Sequence, residues 1–286
     1  MTRAALASTL VPSCGDHAAL YAACAPGVAL CTIVGIDGAF SRRVGSQLAI
    51  LPDGNVVGSL SDGCLERQLA SDASDADGVR IKRYGRGSDV IDFRLPCGGR
   101  LDILIDPAPD RAACRGAAEA LKRRRPATVP LPENGILDAR AYIPALAIEA
   151  FGEGPELAAL ARIGSAAGIA VEMIAKDGLA LGSAPDRPPP DRWTATVVLF
   201  HDHEWEAAIL RHALSGAGFY IGAQGGEEAR FARVARLLSD GVDENAVARI
   251  RGPIGAVASC RDPATLALSV LAEIAGAYDQ IRPHHR

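Results

Sequence analysis

Two cysteines of the chain lie in glycine-containing turns, Gly63-Cys64 and Cys97-Gly98-Gly99. Glycine allows the backbone to bend sharply and to approach a ligand closely. A thiol beside backbone N–H groups or at a helix N-terminus has its thiolate form stabilised, and thiolates bind soft metals and take part in sulfur chemistry. Cys64 and Cys97 are therefore candidate metal ligands. The alternative is that each is a small buried apolar residue, as free cysteines often are.

The surroundings of Cys64 indicate where its thiol lies and which charges accompany it. A helix-like segment, 65–70, follows the cysteine directly, so the sequence predicts that the thiol lies at the beginning of a helix. Arg42 and Arg43, in a preceding Ser-Arg-Arg segment, are candidate ligands for a phosphate group by their charge alone.

A second group of polar residues, His201-Asp202-His203-Glu204, follows a predicted strand. In an open α/β sheet, ligands bind beyond the carboxyl ends of the strands. Two imidazoles and two carboxylates there could bind a metal, although no third, distant ligand is evident. The pattern favours a different interpretation, in which Asp202 caps a helix and His201 and His203 line a crevice.

The segment Gly152-Glu153-Gly154 also follows a predicted strand and begins a predicted helix, which is the context of a dinucleotide-binding turn. The third glycine of that motif is missing, since Leu157 or Ala158 takes its place, and Glu153 puts a negative charge where a pyrophosphate would lie. We therefore expect a Rossmann-type fold kept for its architecture. A working NAD(P) site is the alternative.

The elements expected in the first half are short strands and helices. Apolar runs between glycine-rich turns predict strands at 28–36, 46–52, 55–60, 80–84 and 101–107. Asp110 is expected to cap a helix that ends in the basic residues 122–125. Proline and polar residues at 126–144 predict a linker or a loop-rich edge. We expect an N-terminal mixed α/β domain over residues 1–144.

The second half has a different pattern. From about residue 145, apolar strand-like segments alternate with alanine- and leucine-rich helical segments. This alternation indicates βαβ units and a parallel sheet. We expect a Rossmann-like, doubly wound domain over residues 145–286, so that the whole chain belongs to the α/β class.

Composition excludes several classes of function. The chain has 286 residues and a formal net charge of −4, which argues against a nucleic-acid partner. Its seven cysteines contain no C-x-x-C pair, and we expect reduced thiols in the cytoplasm. Residues 18–36 carry no charge, but Pro26-Gly27 divides this run, so we expect no membrane span.

The order of these motifs resembles that of the XdhC/CoxI family of xanthine dehydrogenase accessory proteins, over about residues 28–278. In the first half, the resemblance rests on GIDGAFSRRVGSQLAI, DGNVVGSLSDGCLE and LPCGGRLDILIDP. In the second half, it rests on FGEGPELA, TATVVLFHDHEWE, FYIGAQG and RIRGPIGAVASCRDPATLALSVLAEI.

The resemblance implies a chaperone rather than a catalyst. Such proteins bind molybdenum cofactor (molybdopterin), protect it while a sulfurtransferase replaces an oxo ligand by sulfur, and insert it into a molybdenum hydroxylase. It implies three partners here: the hydroxylase large subunit, a cysteine desulfurase or sulfurtransferase, and a second copy in a homodimer. The family's Gly-Gly-Cys-x-Glu and Cys-Gly-Gly turns imply cofactor-binding roles for Gly63, Cys64, Glu66, Cys97, Gly98 and Gly99.

The chain departs from the family pattern at three places. Asp62 replaces a glycine and puts a negative charge beside Cys64, where it could repel the cofactor phosphate or supply acid–base chemistry. The family's Gly-Ala-Gly-His turn is Gly152-Glu153-Gly154-Pro155 here, and its basic Gly-Ser-Arg-Arg-Lys segment is Gly225-Gly226-Glu227-Glu228. The resemblance therefore predicts the fold of the second half, but the loss of these basic phosphate ligands argues against anion binding there.

Two other functions are open at this point. One is an NAD(P)-dependent oxidoreductase that uses the turn containing Gly152 and Gly154. The other is an interaction scaffold of the same fold that binds a dehydrogenase subunit and carries no cofactor.

Overall fold

The computed structural model describes residues 15–88 and 98–283. The chain forms two compact units: the first contains the described residues up to Pro144 and also Pro283, and the second extends from Ala145 to Arg282. Each unit contains a five-stranded sheet, antiparallel in the first and parallel in the second. The predicted fold class, a mixed α/β part followed by a Rossmann-like part, is confirmed.

The first unit is a sheet with helices on both faces. Its sheet strands are β1 (Ala29–Asp37), β2 (Gln47–Ile50), β3 (Val56–Gly58), β4 (Arg80–Gly85) and β5 (Arg100–Asp106), in the order β3-β2-β1-β5-β4. The helices that accompany them are α1 (Gly15–Ala23), α2 (Cys64–Ser74) and α3 (Arg111–Lys122). As expected, Asp110 caps α3, because its carboxylate accepts hydrogen bonds from the amides of Ala112 and Ala113.

Strand β1 lies at the centre of this sheet and is buried on both sides. Cys31 and Ile33 pack in the cluster that contains α2, whereas Leu30 packs in the cluster that contains α1 and α3. Successive side chains of a strand point to opposite faces, so the sheet separates two apolar layers. The fully buried Leu65 and Leu69 fix the inner face of α2 against the first layer.

Residues 126–144, expected to be a linker or a loop-rich edge, contain an antiparallel hairpin instead. Its strands are β6 (Ala127–Pro130) and β7 (Ala139–Tyr142). Val129 and Tyr142 are buried in the α1–α3 layer, and the Tyr142 hydroxyl donates a hydrogen bond to Gln47 of β2. These side chains make the hairpin part of the first unit's core.

The second unit alternates strands and helices in chain order. The strands are β8 (Ala147–Gly152), β9 (Ala170–Ile174), β10 (Thr194–Leu199), β11 (Tyr220–Ala223) and β12 (Ile250–Arg251), all parallel in the order β12-β11-β10-β8-β9. The helices are α4 (Gly154–Ala166), α5 (Glu206–Leu214), α6 (Glu227–Ser239), α7 (Glu244–Val247) and α8 (Pro263–Gln280).

These helices cover both faces of the parallel sheet. Leu157 of α4 and Ile274 of α8 pack on one face, and Ile209 of α5 and Leu237 of α6 pack on the other. The chain passes from β8 to β9 on one side and then crosses to β10 on the other. The strand order therefore reverses beside β8, and the carboxyl ends of β8 and β10 flank the position where such sheets bind ligands.

Within the described residues, no helix is both long and apolar enough to cross a membrane. The cysteines of the described ranges are free thiols: Cys24, Cys31, Cys64, Cys114 and Cys260. Cys31 and Cys114 are fully buried in the first unit.

Candidate functional site

Several chain segments meet at one end of the first sheet. β1 ends at Asp37, which pairs with Arg100 at the beginning of β5, and Arg100 pairs with Gly85 at the end of β4. Neighbouring strands run in opposite directions, so β2 begins and β3 ends toward the same end. The segments that carry Arg42, Cys64 and Gly99 therefore emerge together; we call this region the cysteine end.

Gly63 turns the chain into α2 at the cysteine end. Its φ of 99° lies in the left-handed region, which favours glycine. Cys64 is then the first residue of α2, and its side chain is exposed. The thiol predicted to lie at a helix N-terminus is found there.

A buried carboxylate shapes this turn. Glu66 is only 5% exposed, and its oxygens accept hydrogen bonds from the amides of Leu60 (2.8 Å), Ser61 (2.6 Å) and Gly63 (2.8 Å). Burial raises the pKa of Glu66, but these amide hydrogen bonds outweigh it and hold the pKa below its ordinary value. Both oxygens are thus engaged with the turn, so Glu66 contributes by fixing the position of Cys64; a direct contact with a cofactor stays a prediction.

A second buried carboxylate joins α2 to the sheet. Asp72 accepts hydrogen bonds from Lys82 (2.5 Å) and Tyr84 (2.5 Å) of β4 and from Gln68 (3.1 Å). Burial raises the pKa of Asp72, and the hydrogen bonds from Lys82, Tyr84 and Gln68 lower it below its usual range. Glu66 and Asp72 together hold the helix that presents the thiol.

Two charged side chains contact Cys64, one at its thiol and one at its backbone amide. The Arg67 guanidinium is 3.3 Å from Sγ, and the Asp62 carboxylate accepts a 3.3 Å hydrogen bond from the Cys64 amide. Asp62 is exposed, and its contact is with the Cys64 backbone amide. Arg67 was missed by the sequence analysis, although a residue three positions after Cys64 on a helix is expected on the same face.

Arg42 connects the loop after β1 to the turn before α2. Its Nε donates to the Ser59 carbonyl at 3.1 Å, and its Nη2 lies 3.4 Å from the Ser59 hydroxyl. Arg43 is exposed, and its amide donates to the Ser46 hydroxyl at 3.3 Å. Both predicted phosphate ligands thus lie in the loop that borders the cysteine end.

Cys97 lies outside the described residues, so its predicted role stays a prediction. The two glycines that follow it are described: Gly98 is exposed and Gly99 is buried. A Cβ placed on Gly38 would lie 3.2 Å from the Gly99 Cα, so the two backbones are in close contact. The glycines that follow Cys97 therefore border the same loop that carries Arg42.

The glycine turn of the second unit has an architectural explanation. A Cβ placed on Gly152 would lie 2.8 Å from the Leu199 Cβ, so glycine allows β8 and β10 to approach each other. Glu153 precedes Gly154 at the beginning of α4 and forms an ion pair with Lys176 at 2.8 Å. Lys176 also lies 5.5 Å from the Trp205 ring. The charge of Glu153 at this turn is therefore balanced by Lys176.

The residues after β10 take separate partners. The Asp202 carboxylate accepts from the Glu204 amide at 3.1 Å and so caps a short 3-10 turn, His203–Trp205. His203 Nδ1 is 2.8 Å from Glu206, and His201 Nε2 is 3.6 Å from Glu156. In the described part of the chain, no group of three or more histidine, cysteine or acidic side chains is arranged to bind a metal.

A buried ion pair beneath these histidines was not predicted. Arg233 of α6 donates to Glu206 of α5, with an Nε–Oε2 distance of 2.7 Å, and both side chains are 3% exposed. The residues are 27 positions apart in the chain and on different helices, so no local pattern indicates that they pair.

Two family models match the chain. The XdhC and CoxI family matches residues 25–85, which include the turn before α2, and the XdhC Rossmann domain matches residues 148–274. These ranges lie in the first and second units, respectively.

A curated relative and a solved structure are also similar. The molybdenum cofactor insertion chaperone PaoD of Escherichia coli (strain K12) is 30% identical over 270 residues, covering 87% of this chain and 83% of the relative. The crystal structure of a xanthine dehydrogenase from Bacillus halodurans matches with a TM-score of 0.71 and 19% identity, covering 94% of this chain and 97% of that one. At this identity, the structural likeness shows the fold alone. Together with the family models, the relative shows that this chain belongs to the XdhC and CoxI family.

Proposed function

We propose that the protein is a molybdenum cofactor chaperone whose cargo is held at the cysteine end of the first unit. The observation that carries the proposal is the exposed thiol of Cys64 at the beginning of α2, 3.3 Å from the Arg67 guanidinium. The similarity to PaoD, a molybdenum cofactor insertion chaperone, supports the same role.

The local chemistry suits a cargo that combines a soft metal with an anion. Thiolate is a preferred ligand of soft metals, and the first amides of α2 and the Arg67 guanidinium favour negative charge beside it. We assign Arg42 and Arg43 to the cofactor phosphate and Cys97, with Gly98 and Gly99, to the opposite side of the bound cargo. We assign the acid–base role to the Asp62 carboxylate, which accepts a hydrogen bond from the Cys64 amide.

The later steps of maturation belong to the same proposal. The chaperone supports replacement of an oxo ligand by sulfur from a cysteine desulfurase or sulfurtransferase, and then inserts the cofactor into the large subunit of a xanthine dehydrogenase-type hydroxylase. It acts in the cytoplasm as a homodimer and is a maturation factor rather than a catalyst. The similarity to an insertion chaperone supports a molybdoenzyme as the recipient.

The NAD(P)-dependent oxidoreductase has less support from the geometry. The position for a pyrophosphate at the N-terminus of α4 is bordered by Glu153 and Glu156. The His201, Asp202 and His203 side chains contact or cap their own neighbours, so their predicted contact with a cofactor is not part of this proposal.

Cofactor content after anaerobic purification tests the proposal. The protein is isolated from cells that make molybdenum cofactor, molybdenum is counted by mass spectrometry, and the pterin is measured as its fluorescent oxidation product. We expect metal and pterin in near-equal amounts. Binding of a dehydrogenase subunit by a protein that holds neither, even after a direct attempt to load it, would contradict the chaperone and favour the scaffold.

A further inference from the structure

Helix α6 has an apolar stripe on its outer side. Leu237 is fully buried and Arg233 is 6% exposed, so these residues mark the inner face of the helix. Phe231, Ala235 and Leu238 are exposed, and their spacing of four and then three residues places them on one face of the helix. We call these three residues the α6 stripe.

The α6 stripe contains the most exposed large apolar side chain of the described residues. This is Phe231, which is 65% exposed, and Leu238 on the same face is 42% exposed. A surface helix normally directs its apolar side chains toward the core and its polar side chains toward solvent. Isolated exposed apolar residues are common, but neighbouring ones on a regular face indicate a surface that another molecule covers.

The beginning of the stripe is acidic. Glu227 and Glu228 are exposed in the first turn of α6, and the Arg230 guanidinium lies 3.9 Å from Glu227. The turn that contains the exposed Asp202 and Glu204 lies beside this end of the helix. Its position follows from Gly225, just before α6, because a Cβ placed there would lie 3.5 Å from a ring carbon of the intervening histidine. Carboxylates therefore outnumber guanidinium groups where the stripe begins.

Carboxylates also outnumber guanidinium groups where the stripe ends. Arg236 of α6 and Arg211 of α5 both pair with the carboxylate of Asp240. The exposed Asp243 and Glu244 follow directly along the chain. The α6 stripe thus lies between two acidic groups of side chains, which we call the acidic rim: Asp202, Glu204, Glu227, Glu228, Asp243 and Glu244.

The acidic rim selects among the molecules that could cover the stripe. In a second copy of the chain, an antiparallel pairing of the two α6 helices would bring Glu228 of each copy toward Asp243 of the other, and a parallel pairing would bring each carboxylate toward its equivalent. Like charges that face each other across an interface are unfavourable. The rim repels nucleic acid and anionic membrane surfaces in the same way. A protein segment whose apolar side chains are flanked by lysine or arginine complements both the stripe and the rim.

We propose that the α6 stripe, with its acidic rim, is a docking surface for a basic amphipathic helix of a partner protein. An amphipathic helix presents apolar side chains at the same spacing as the stripe, so that the two faces can pack while the flanking cations meet the carboxylates. This surface lies within the second unit and does not depend on the function proposed for the first.

Titration of the full-length protein with two model peptides tests the docking surface. Both peptides are amphipathic helices about as long as α6 with leucine on one face; the remaining positions are lysine in one peptide and glutamate in the other. Fluorescence anisotropy of the labelled peptides measures binding. We expect the lysine peptide to bind at least tenfold more tightly than the glutamate peptide, and added salt to weaken its binding because exposed charges are screened.

Two pairs of variants locate the binding. Phe231→Ser is expected to weaken binding of the lysine peptide about tenfold, because it removes the largest apolar contact. Leu268→Ser, which changes a leucine of α8 that is 56% exposed, is its matched control. Glu228→Gln is expected to weaken binding about threefold, and Glu133→Gln, an exposed change in the first unit, is its control. Thermal melting verifies that each variant is folded.

Four outcomes would each overturn the proposal. They are no binding of the lysine peptide, equal binding of the two peptides, unchanged binding in the folded Phe231→Ser variant, and an equal loss in Phe231→Ser and Leu268→Ser. Analytical ultracentrifugation of the same variants tests the alternative occupant. A wild-type dimer that Phe231→Ser dissociates would assign the stripe to a second copy of the chain and contradict the basic partner.

Discussion

Helices α2 and α4 have similar sequences at their N-termini, but the glutamates in their first turns have different hydrogen-bond partners. Each follows a glycine-containing turn at the end of a sheet, and each carries a glutamate as its third residue, Glu66 in α2 and Glu156 in α4. Glu66 accepts hydrogen bonds from three backbone amides, whereas Oε2 of Glu156 has no hydrogen-bond partner among the described residues. Glu66 therefore stabilises the turn before its helix, whereas Oε2 of Glu156 makes no hydrogen bond with the described residues.

The difference teaches that the same sequence feature serves two purposes. Because Glu66 accepts the hydrogen bonds of the amides in this turn, the turn that positions Cys64 is stabilised while the Cys64 thiol stays exposed. Oε2 of Glu156 accepts no hydrogen bond from the described residues and lies 3.6 Å from His201 Nε2. A sequence pattern of glycine, helix and glutamate cannot separate these outcomes, since they depend on whether the preceding loop folds back over the carboxylate.

The largest expected effect concerns the buried Arg233–Glu206 ion pair of the second unit. Glu206→Gln leaves the Arg233 charge buried without its partner, which costs about 3–5 kcal/mol of unfolding free energy. Both tryptophans, Trp193 and Trp205, lie in the second unit, so urea unfolding followed by tryptophan fluorescence reports on it. An unfolding midpoint equal to that of the wild type would show that the pair does not stabilise this unit.

The next effect tests the two glutamates directly against each other. Glu66→Ala leaves three amides of the turn without their acceptor, and we expect a loss of roughly 2–4 kcal/mol. Glu156→Ala removes no hydrogen bond seen in the structure, and we expect a loss below about 1 kcal/mol. Hydrogen exchange of first-unit peptides in urea measures the former and tryptophan fluorescence the latter; similar losses in the two variants would remove the distinction between the helices.

A smaller, pH-dependent effect is expected at Asp72. Its pKa in the folded protein is depressed, so its contribution to stability is present above the ordinary aspartate pKa, about 3.9, and is lost as pH falls through the folded value. Asp72→Asn should therefore cost about 1–3 kcal/mol at neutral pH and progressively less in acid. Urea-dependent hydrogen exchange of α2 peptides between pH 7 and pH 3 measures this; a cost that does not vary with pH would contradict the assignment.

The sequence was sufficient for features whose cause is local. The alternation of apolar segments indicated the strands of the first sheet and all strands of the second except β12, and Asp110 before an alanine-rich segment indicated the cap of α3. The position of Cys64 at the beginning of α2 was predicted because glycine and a helical run adjoin it. In each case, neighbouring residues determine the structure.

Features that depend on distant residues were not predicted. Residues 126–144 were expected to be a linker or a loop-rich edge because of their prolines and polar residues. They contain the hairpin of β6 and β7 instead, which the burial of Val129 and Tyr142 against α1 and α3 stabilises. The Arg233–Glu206 pair joins two helices, and the three amides bound by Glu66 depend on the path of the preceding loop.

The most direct test of the proposed cargo site compares two cysteine variants. Cys64→Ser removes the exposed thiol at the beginning of α2, while Cys260→Ser changes a half-buried thiol of the second unit and is the matched control. Both proteins are purified anaerobically from cells that make molybdenum cofactor, and molybdenum and pterin are counted per chain. We predict that Cys64→Ser retains at least tenfold less of both than the wild type and that Cys260→Ser retains the wild-type amount. Equal retention by the two folded variants would contradict the assignment of Cys64 to the cargo.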